Sequence, residues 1–404
     1  SPDFLTQAQL DKDRDGASTS ETDYQADKDS YSLVYDYNMK DNLKFNLLSS
    51  YYNSVSESAT STSITNFDES KIAFKPKLNY EYSKGTLTAG YDYTFNNIVR
   101  DTKLGNGAFY DISKMTNSVF LNNRYNMNKL ELITGYRYEK SDYEMKDQKY
   151  GTKTPSDMDK TSSNSAYSMG LNYLYSDSGK LYGKFESGYT FPDPRQYINL
   201  TNGEGELNNL QDEEFMTYEI GFQDYIINSL VKGAVYYTEK ENEIRKEGSS
   251  LNAKFYNIDA SKRIGGELSI SQNIKKLELS ESIAYVDAKV TEGTYEGKRI
   301  PYVSKITSSI NATYTFNEKV DLSGNITYRD KYYVDASNLS GLVNDKFVTD
   351  IKVNYSIDSN WKTYAGINNL FNADYYNTIN YRSGAYTYDP ASERNYFIGF
   401  NYSF

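Results

Sequence analysis

Segments that alternate apolar and polar residues at every second position run from end to end of this chain, and the connections between them alternate strictly between short and long. In YSLVYDY, Tyr31, Leu33, Tyr35 and Tyr37 share a face; in TLTAGYDYTF the same role falls to Leu87, Ala89, Tyr91, Tyr93 and Phe95. YNIDASKRIGGELSI places Tyr256, Ile258, Ala260, Ile264, Gly266, Leu268 and Ile270 on one side and Asn257, Asp259, Ser261, Arg263 and Glu267 on the other. A period of two belongs to strands, and no stretch carries a convincing 3.6-residue period. The count is roughly 17 strands, of about the ~9–11 residues that a tilted strand needs to cross a bilayer plus extensions.

The short connections are NMKDN, SKG, MNK, SDSGK, QDYIIN, QNIK, NEK and DSN; the long ones cover 54–67, 99–115, 143–163, 192–213, 239–252, 288–302, 332–345 and 371–393. A β-sandwich mixes its connection lengths, whereas a transmembrane barrel has short periplasmic turns and long outer loops. The chain is therefore expected to be all-β, an antiparallel transmembrane β-barrel. With the last strand ending in the periplasm, every long connection lies outside and the first strand, near 27–38, descends from outside. Single-chain bacterial barrels have even strand numbers, so the odd count predicts further strands upstream. The closing RNYFIGFNYSF aligns Tyr396, Ile398, Phe400, Tyr402 and Phe404 in one apolar row. As the edge of a soluble sheet such a row would aggregate; as a strand face toward lipid it is at home.

Composition agrees. Mean hydropathy is −0.75, and no apolar run approaches the ~20 residues of a spanning helix. Yet there are 43 Tyr and 18 Phe against 7 Pro. Tyrosine joins an apolar ring to a wet hydroxyl and suits a membrane–water boundary. A polar lumen face and an apolar lipid face cancel in the average. The net charge of −11 argues against nucleic acid as a partner.

With no His and no Cys, the commonest general base and the thiolate nucleophile are both missing. The chain is not expected to be an enzyme, and Asp212, Glu213 and Glu214 read as solvated loop charge. DKDRDGASTSE sets Asp11, Asp13 and Asp15 ahead of Gly16, the opening of a calcium loop, but Glu21 falls one residue short of the closing ligand position, which is Thr22. An acidic outer loop is the preferred reading, with Ca²⁺ as the candidate ion and no other cofactor expected.

Several segments, in order, resemble the barrel of TonB-dependent outer-membrane receptors. ESGYTFPDPRQYINL is similar to the family's strand leading into an aromatic–Pro loop, although FPDPR diverges from its usual Arg-bearing form. NNLQDEEFMTYEIGFQD follows with Leu210, Glu213, Tyr218, Glu219 and Gly221. GINNLFNADYYN carries Asn368, Asn369, Leu370, Phe371 and Tyr375, similar to the family's C-terminal Asn-Leu-Phe…Tyr motif, with Arg394 and the terminal Phe404 after it.

The resemblance implies a barrel of about 22 strands, so about five lie outside this sequence, together with the plug domain and the TonB box. It implies uptake of a ferric siderophore, with haem or cobalamin as alternatives within the family, and a passive porin-like channel or a barrel-anchored adhesin as alternatives outside it. The partners it implies are the chelate, the TonB complex through the N-terminal region, outer-membrane lipid, and the barrel assembly machinery reading Phe404. Arg supplies charge-matched donors and Tyr stacking faces, so the candidate substrate residues on the long connections are Arg195, Tyr197, Tyr332, Tyr333, Tyr376, Tyr381 and Arg382.

Overall fold

The computed structural model describes residues 5–14, 16, 23–60, 63–103, 107–155, 157–247, 252–339, 342–382 and 385–403. Seventeen long strands build one antiparallel sheet. The first eight are β1 (Asp23–Lys40), β2 (Leu43–Ala59), β3 (Ile64–Tyr82), β4 (Gly85–Thr102), β5 (Ala108–Met127), β6 (Leu130–Tyr150), β7 (Met158–Leu174) and β8 (Lys180–Thr190). The rest are β9 (Glu213–Ile226), β10 (Ser229–Glu247), β11 (Lys254–Ile274), β12 (Leu277–Glu292), β13 (Ile306–Asn317), β14 (Val320–Arg329), β15 (Lys346–Ser356), β16 (Trp361–Asn368) and β17 (Asn395–Tyr402). Each pairs with its neighbour in sequence, as an up-and-down wall requires.

The wall curls into a barrel whose ends are not joined by a ladder. Among the described residues β1 pairs only with β2, and β17 only with β16. Both edges stand open: every residue of β1 is exposed, and Ile398 on β17 is 82% exposed.

Parity sorts the faces. Tyr91, Tyr93, Tyr136, Tyr138, Met169, Tyr218, Ile220, Val235 and Ile264 look outward, as does the row Tyr396, Ile398, Phe400 and Tyr402, which the sequence assigned to lipid. Trp361 packs on Tyr402 at 4.7 Å at one margin of that face. The inward face is polar and ion-paired: Arg137 meets Asp92 and Glu139, each at 2.8 Å, and Arg263 meets Glu243 at 2.6 Å. A lumen cavity of about 1170 Å³ is lined by Asp36, Lys75, Lys77, Asp92, Arg137, Glu139 and Glu186 among others.

The short connections fall where the sequence predicts. The long ones differ. β6 runs 21 residues, and most of 54–67, 99–115 and 143–163 is strand. On the outer part of β6 the outward positions after Tyr138 are Lys140, Asp142 and Glu144. The ladder continues there with water on the outside, so the alternation of polarity stops while the hydrogen bonding does not. Four connections are long in space as well: 191–212, 293–305, 330–345 and 369–394.

The acidic N-terminal stretch also holds a helix, Gln7–Lys12, where the sequence shows no helical period. Thr6 caps it, with Gln9 completing the capping box, so the cap chemistry rather than periodicity carries this one short turn of helix. Just before it, Leu5–Thr6 adds a strand to the hairpin Tyr376–Arg382/Ala385–Pro390 of the last long connection.

Candidate functional site

The connection 191–212 folds into the mouth. Asp193 caps the 3₁₀ turn Pro194–Tyr197, accepting from the Arg195 N–H at 3.0 Å while Gln196 Oε1 accepts from the Asp193 N–H at 2.7 Å. Proline early in the turn fits, since its φ is preset and no N–H is lost. The chain then forms the hairpin Ile198–Thr201/Glu204–Leu207. Its turn residues Asn202 and Gly203 are both at positive φ, 51° and 83°, which Asn-Gly adopts at little cost.

This hairpin is seated on the lumen wall. Tyr197, Ile198 and Leu210 are buried against Tyr110 and Ile112 of β5 and Met145 and Tyr150 of β6. Tyr197 meets Tyr143 edge-on at 5.9 Å, and Lys160 Nζ lies 4.4 Å from the Tyr197 ring centre. Lys160 also donates to the Leu210 carbonyl at 2.8 Å. Two clasps hold the hairpin laterally. Glu204 accepts from the N–H of Thr152 at 3.0 Å and of Lys153 at 2.8 Å, and the Leu200 N–H donates to the Ala253 carbonyl at 2.7 Å. Burial pushes the Tyr197 hydroxyl up to about 12 and raises Asp212 above the usual carboxylate range. Tyr197 is thus a neutral packing ring.

Beneath the turn lies a cavity of about 290 Å³ lined by Asn96 and Ile98 of β4, Ile112 and Lys114 of β5, and Phe191, Asp193, Pro194 and Arg195. Lys114 in its lining and Arg100, two residues beyond Ile98 on the same face of β4, are both set on aromatic faces. Lys114 Nζ lies 5.1 Å from the Tyr143 ring and 5.6 Å from Phe191; Arg100 lies 5.6 Å from Phe67 and 5.9 Å from Tyr110. Arg195 pairs with Asp193 at 3.0 Å, which raises the Arg195 pKa further. Neither Arg100 nor Lys114 forms an ion pair among the described residues, and Arg100 Nε is buried without a hydrogen-bond partner. Cations held against rings with no carboxylate in ion-pair contact suit an anionic, aromatic guest.

The candidates from sequence are distributed unevenly. Arg195 lines the cavity, and Tyr197 packs the turn that roofs it. Tyr332 is buried with Val334, Val343 and Ile379, and Tyr376 packs against that second cluster; Tyr333 lies under Arg299 at 5.6 Å. Tyr381 and Arg382 lie on a strand of the last hairpin, and their side chains are outside the described residues, as are Asp15 and Phe404. Asp11 sits on the short helix, accepting from Gln7 Nε2 at 2.7 Å, and Asp13 is its C-cap. Among the described residues no three carboxylates converge as a metal site. Arg100 and Lys114 were missed because 99–115 reads as loop, and Asn96 because it falls between the strand read to Phe95 and that loop; inward parity, continued from Asp92 and Thr116, is the signal that finds them.

A wall of this curl, with an inward-folded outer connection, a polar lumen and an apolar outer face, is that of an outer-membrane β-barrel. The chain belongs to the TonB dependent receptor-like β-barrel family, whose profile matches residues 2–370. It is 22% identical over 249 residues to the catecholate siderophore receptor Fiu of Escherichia coli K12, covering 58% of this chain and 32% of that protein. Among solved structures it is similar to the siderophore receptor PiuA of Acinetobacter baumannii, at 17% identity and a TM-score of 0.76, covering 94% of this chain and 64% of that one. The ferric yersiniabactin uptake receptor FyuA of Yersinia pestis matches at 13% identity and a TM-score of 0.79, covering 96% and 63%. The likeness to these structures is one of fold. The chain spans about a third of the curated relative and under two thirds of the solved ones.

Proposed function

We propose that this chain is the greater part of the barrel wall of a receptor that takes up an anionic ferric chelate, a siderophore, in a TonB-dependent manner. The observation that carries the reading is the cavity under the 191–212 connection, which Lys114 lines with its ammonium on aromatic rings and no carboxylate in ion-pair contact, with Arg100 next on the same face of β4 and likewise set on rings. A ferric siderophore arrives with its iron already coordinated, so it asks for shape, stacking and charge, and the His-free wall offers those. The relatives named above are receptors of that kind. Among the described residues β1 and β17 each keep an unpaired edge, so a closed transport barrel requires further strands between them.

The deciding experiment is a fluorescence titration of the full-length receptor, which Trp361 and the many tyrosines make practical, with ferric catecholate, hydroxamate and citrate chelates, haemin and cobalamin. Saturable binding of an anionic ferric chelate, weakened by Arg100→Gln and Lys114→Gln, is the expected result. Tight haemin binding with no response to any ferric chelate would overturn it. Calcium at Asp11, Asp13 and Asp15 is a separate proposal, decided by a calcium titration of the receptor with and without Asp11→Asn and Asp13→Asn.

A further inference from the structure

Arg329, the last residue of β14, and Lys346, the first of β15, stand directly opposite each other in the ladder. Tyr328 and Phe347, the adjacent opposed pair, continue the outward face, so the two cations point to the lumen at the outer end of the wall. Like charges directly opposed across a ladder cost stability. The other lumen cations divide: Arg137 pairs with Asp92 at 2.8 Å, Lys240 with Glu213 at 2.5 Å and Arg263 with Glu243 at 2.6 Å, whereas Lys75, Lys77, Arg100 and Lys114 form no ion pair among the described residues.

Arg329 and Lys346 form no ion pair among the described residues. Each rests on a tyrosine instead, Arg329 at 4.8 Å from the Tyr332 ring centre and Lys346 at 5.0 Å from Tyr375. Tyr332 is itself buried in the cluster with Val334, Val343 and Ile379, so the rings fix the cations from behind. Arg329 Nε is buried and has no hydrogen-bond partner. The nearest inward carboxylate on β15, Asp350, accepts the Asn369 N–H at 2.8 Å and is engaged in holding the last connection. Both cations remain only half-buried, open to a solute entering from outside.

We propose that Arg329 and Lys346 form an oxyanion subsite at the mouth, a place for a carboxylate or phenolate group of the cargo, built on a different part of the wall from the cavity at β4 and β5. It rests on the uptake reading in that the cargo is taken to be an anionic chelate. A guest held there neutralises two opposed charges at once, and the rings spare it the cost of ordering the cations.

The test uses the full-length receptor in detergent, with Arg329→Gln, Lys346→Gln and the double variant. Citrate and inorganic phosphate serve as bare anions, read by melting temperature; an anionic and a neutral ferric chelate are read by dissociation constant. Expected are a rise in the wild-type melting temperature with citrate that the double variant lacks, a loss of about tenfold in affinity for the anionic chelate in each single variant, and less than a twofold change for the neutral one. Without ligand, Lys346→Gln should melt higher than wild type, because a repulsion is gone. Equal losses for both chelates, or none for either, would overturn the subsite. A lower melting temperature of both unliganded single variants would also overturn it, since it means that a carboxylate of the longer chain already neutralises the pair. A citrate effect that survives where wild type binds no ferric chelate supports the subsite and sinks the uptake reading alone.

Discussion

Glu204 and Thr152 are 52 positions apart in sequence, yet the Glu204 carboxylate accepts both the Thr152 N–H, at 3.0 Å, and its hydroxyl, at 2.8 Å. This clasp ties the inward hairpin to the connection between β6 and β7 and sets the roof of the candidate cavity.

Glu204→Ala should therefore loosen the hairpin without disturbing the wall. Hydrogen exchange of the Thr152 and Lys153 amides should rise by about an order of magnitude, the loss of one charge-assisted clasp, while amides of β6 stay protected. Unchanged exchange would show that the seat of Tyr197 holds the hairpin alone.

The same contact should respond to acid. The Thr152 hydrogen bonds, backbone first, lower the Glu204 pKa below the usual carboxylate value. A carboxylate lowered on folding stabilises the folded form above its unfolded pKa of about 4.3, and that stability is lost as pH falls through the lowered folded value. A spin label at Thr201 should be immobile at neutral pH and gain mobility only below about pH 4. Mobility already present at pH 6 would contradict the assignment.

Tyr197 is fully buried against β5 and β6. Tyr197→Ala should cost the hairpin's seating about 3 kcal/mol, the usual range for removing a buried ring, and expose 198–207 to protease while heat-modifiable barrel still forms. Tyr197→Phe should cost far less. Equal sensitivity of the two variants would place the effect in the hydroxyl.

The chain has no cysteine, so single introduced thiols report topology cleanly. Cysteine at Asn202 or Ser337 should react with an impermeant reagent on intact cells expressing the full-length receptor. Cysteine at Asn128 or Glu318, in the short turns, should not. Labelling at the short turns would invert the wall.

The free edges of β1 and β17 predict the behaviour of these 404 residues by themselves. Each unpaired backbone group in lipid costs several kcal/mol, so the isolated chain should not yield a heat-modifiable barrel in bilayers, whereas the full-length receptor should. A stable barrel from this chain alone would mean that β1 and β17 can pair directly.

How far sequence reads the wall depends on solvent. Between two media, every strand must alternate, and the rows Tyr31–Tyr37 and Tyr396–Tyr402 are visible at once. Above the membrane both faces are wet. The pattern fades at Lys140 and Asp142 although β6 continues to Tyr150, and Arg100 and Lys114 read as loop residues for the same reason. The Arg and Tyr residues of the long connections were chosen by chemistry alone. Arg195 does line the cavity, but Tyr197, equally apt by type, is spent on packing, a distinction that only burial makes.

The amino-acid sequence alone determined the class of wall, the strand alternation, the side on which connections are short, and the face turned to lipid. All of these follow from local periodicity imposed by a bilayer. Tertiary structure alone decided which outer connection folds inward and which cations are left without partners. Those depend on contacts between residues far apart in the chain, such as Glu204 with Thr152 and Tyr197 with Tyr143, and no local period encodes a meeting across the lumen.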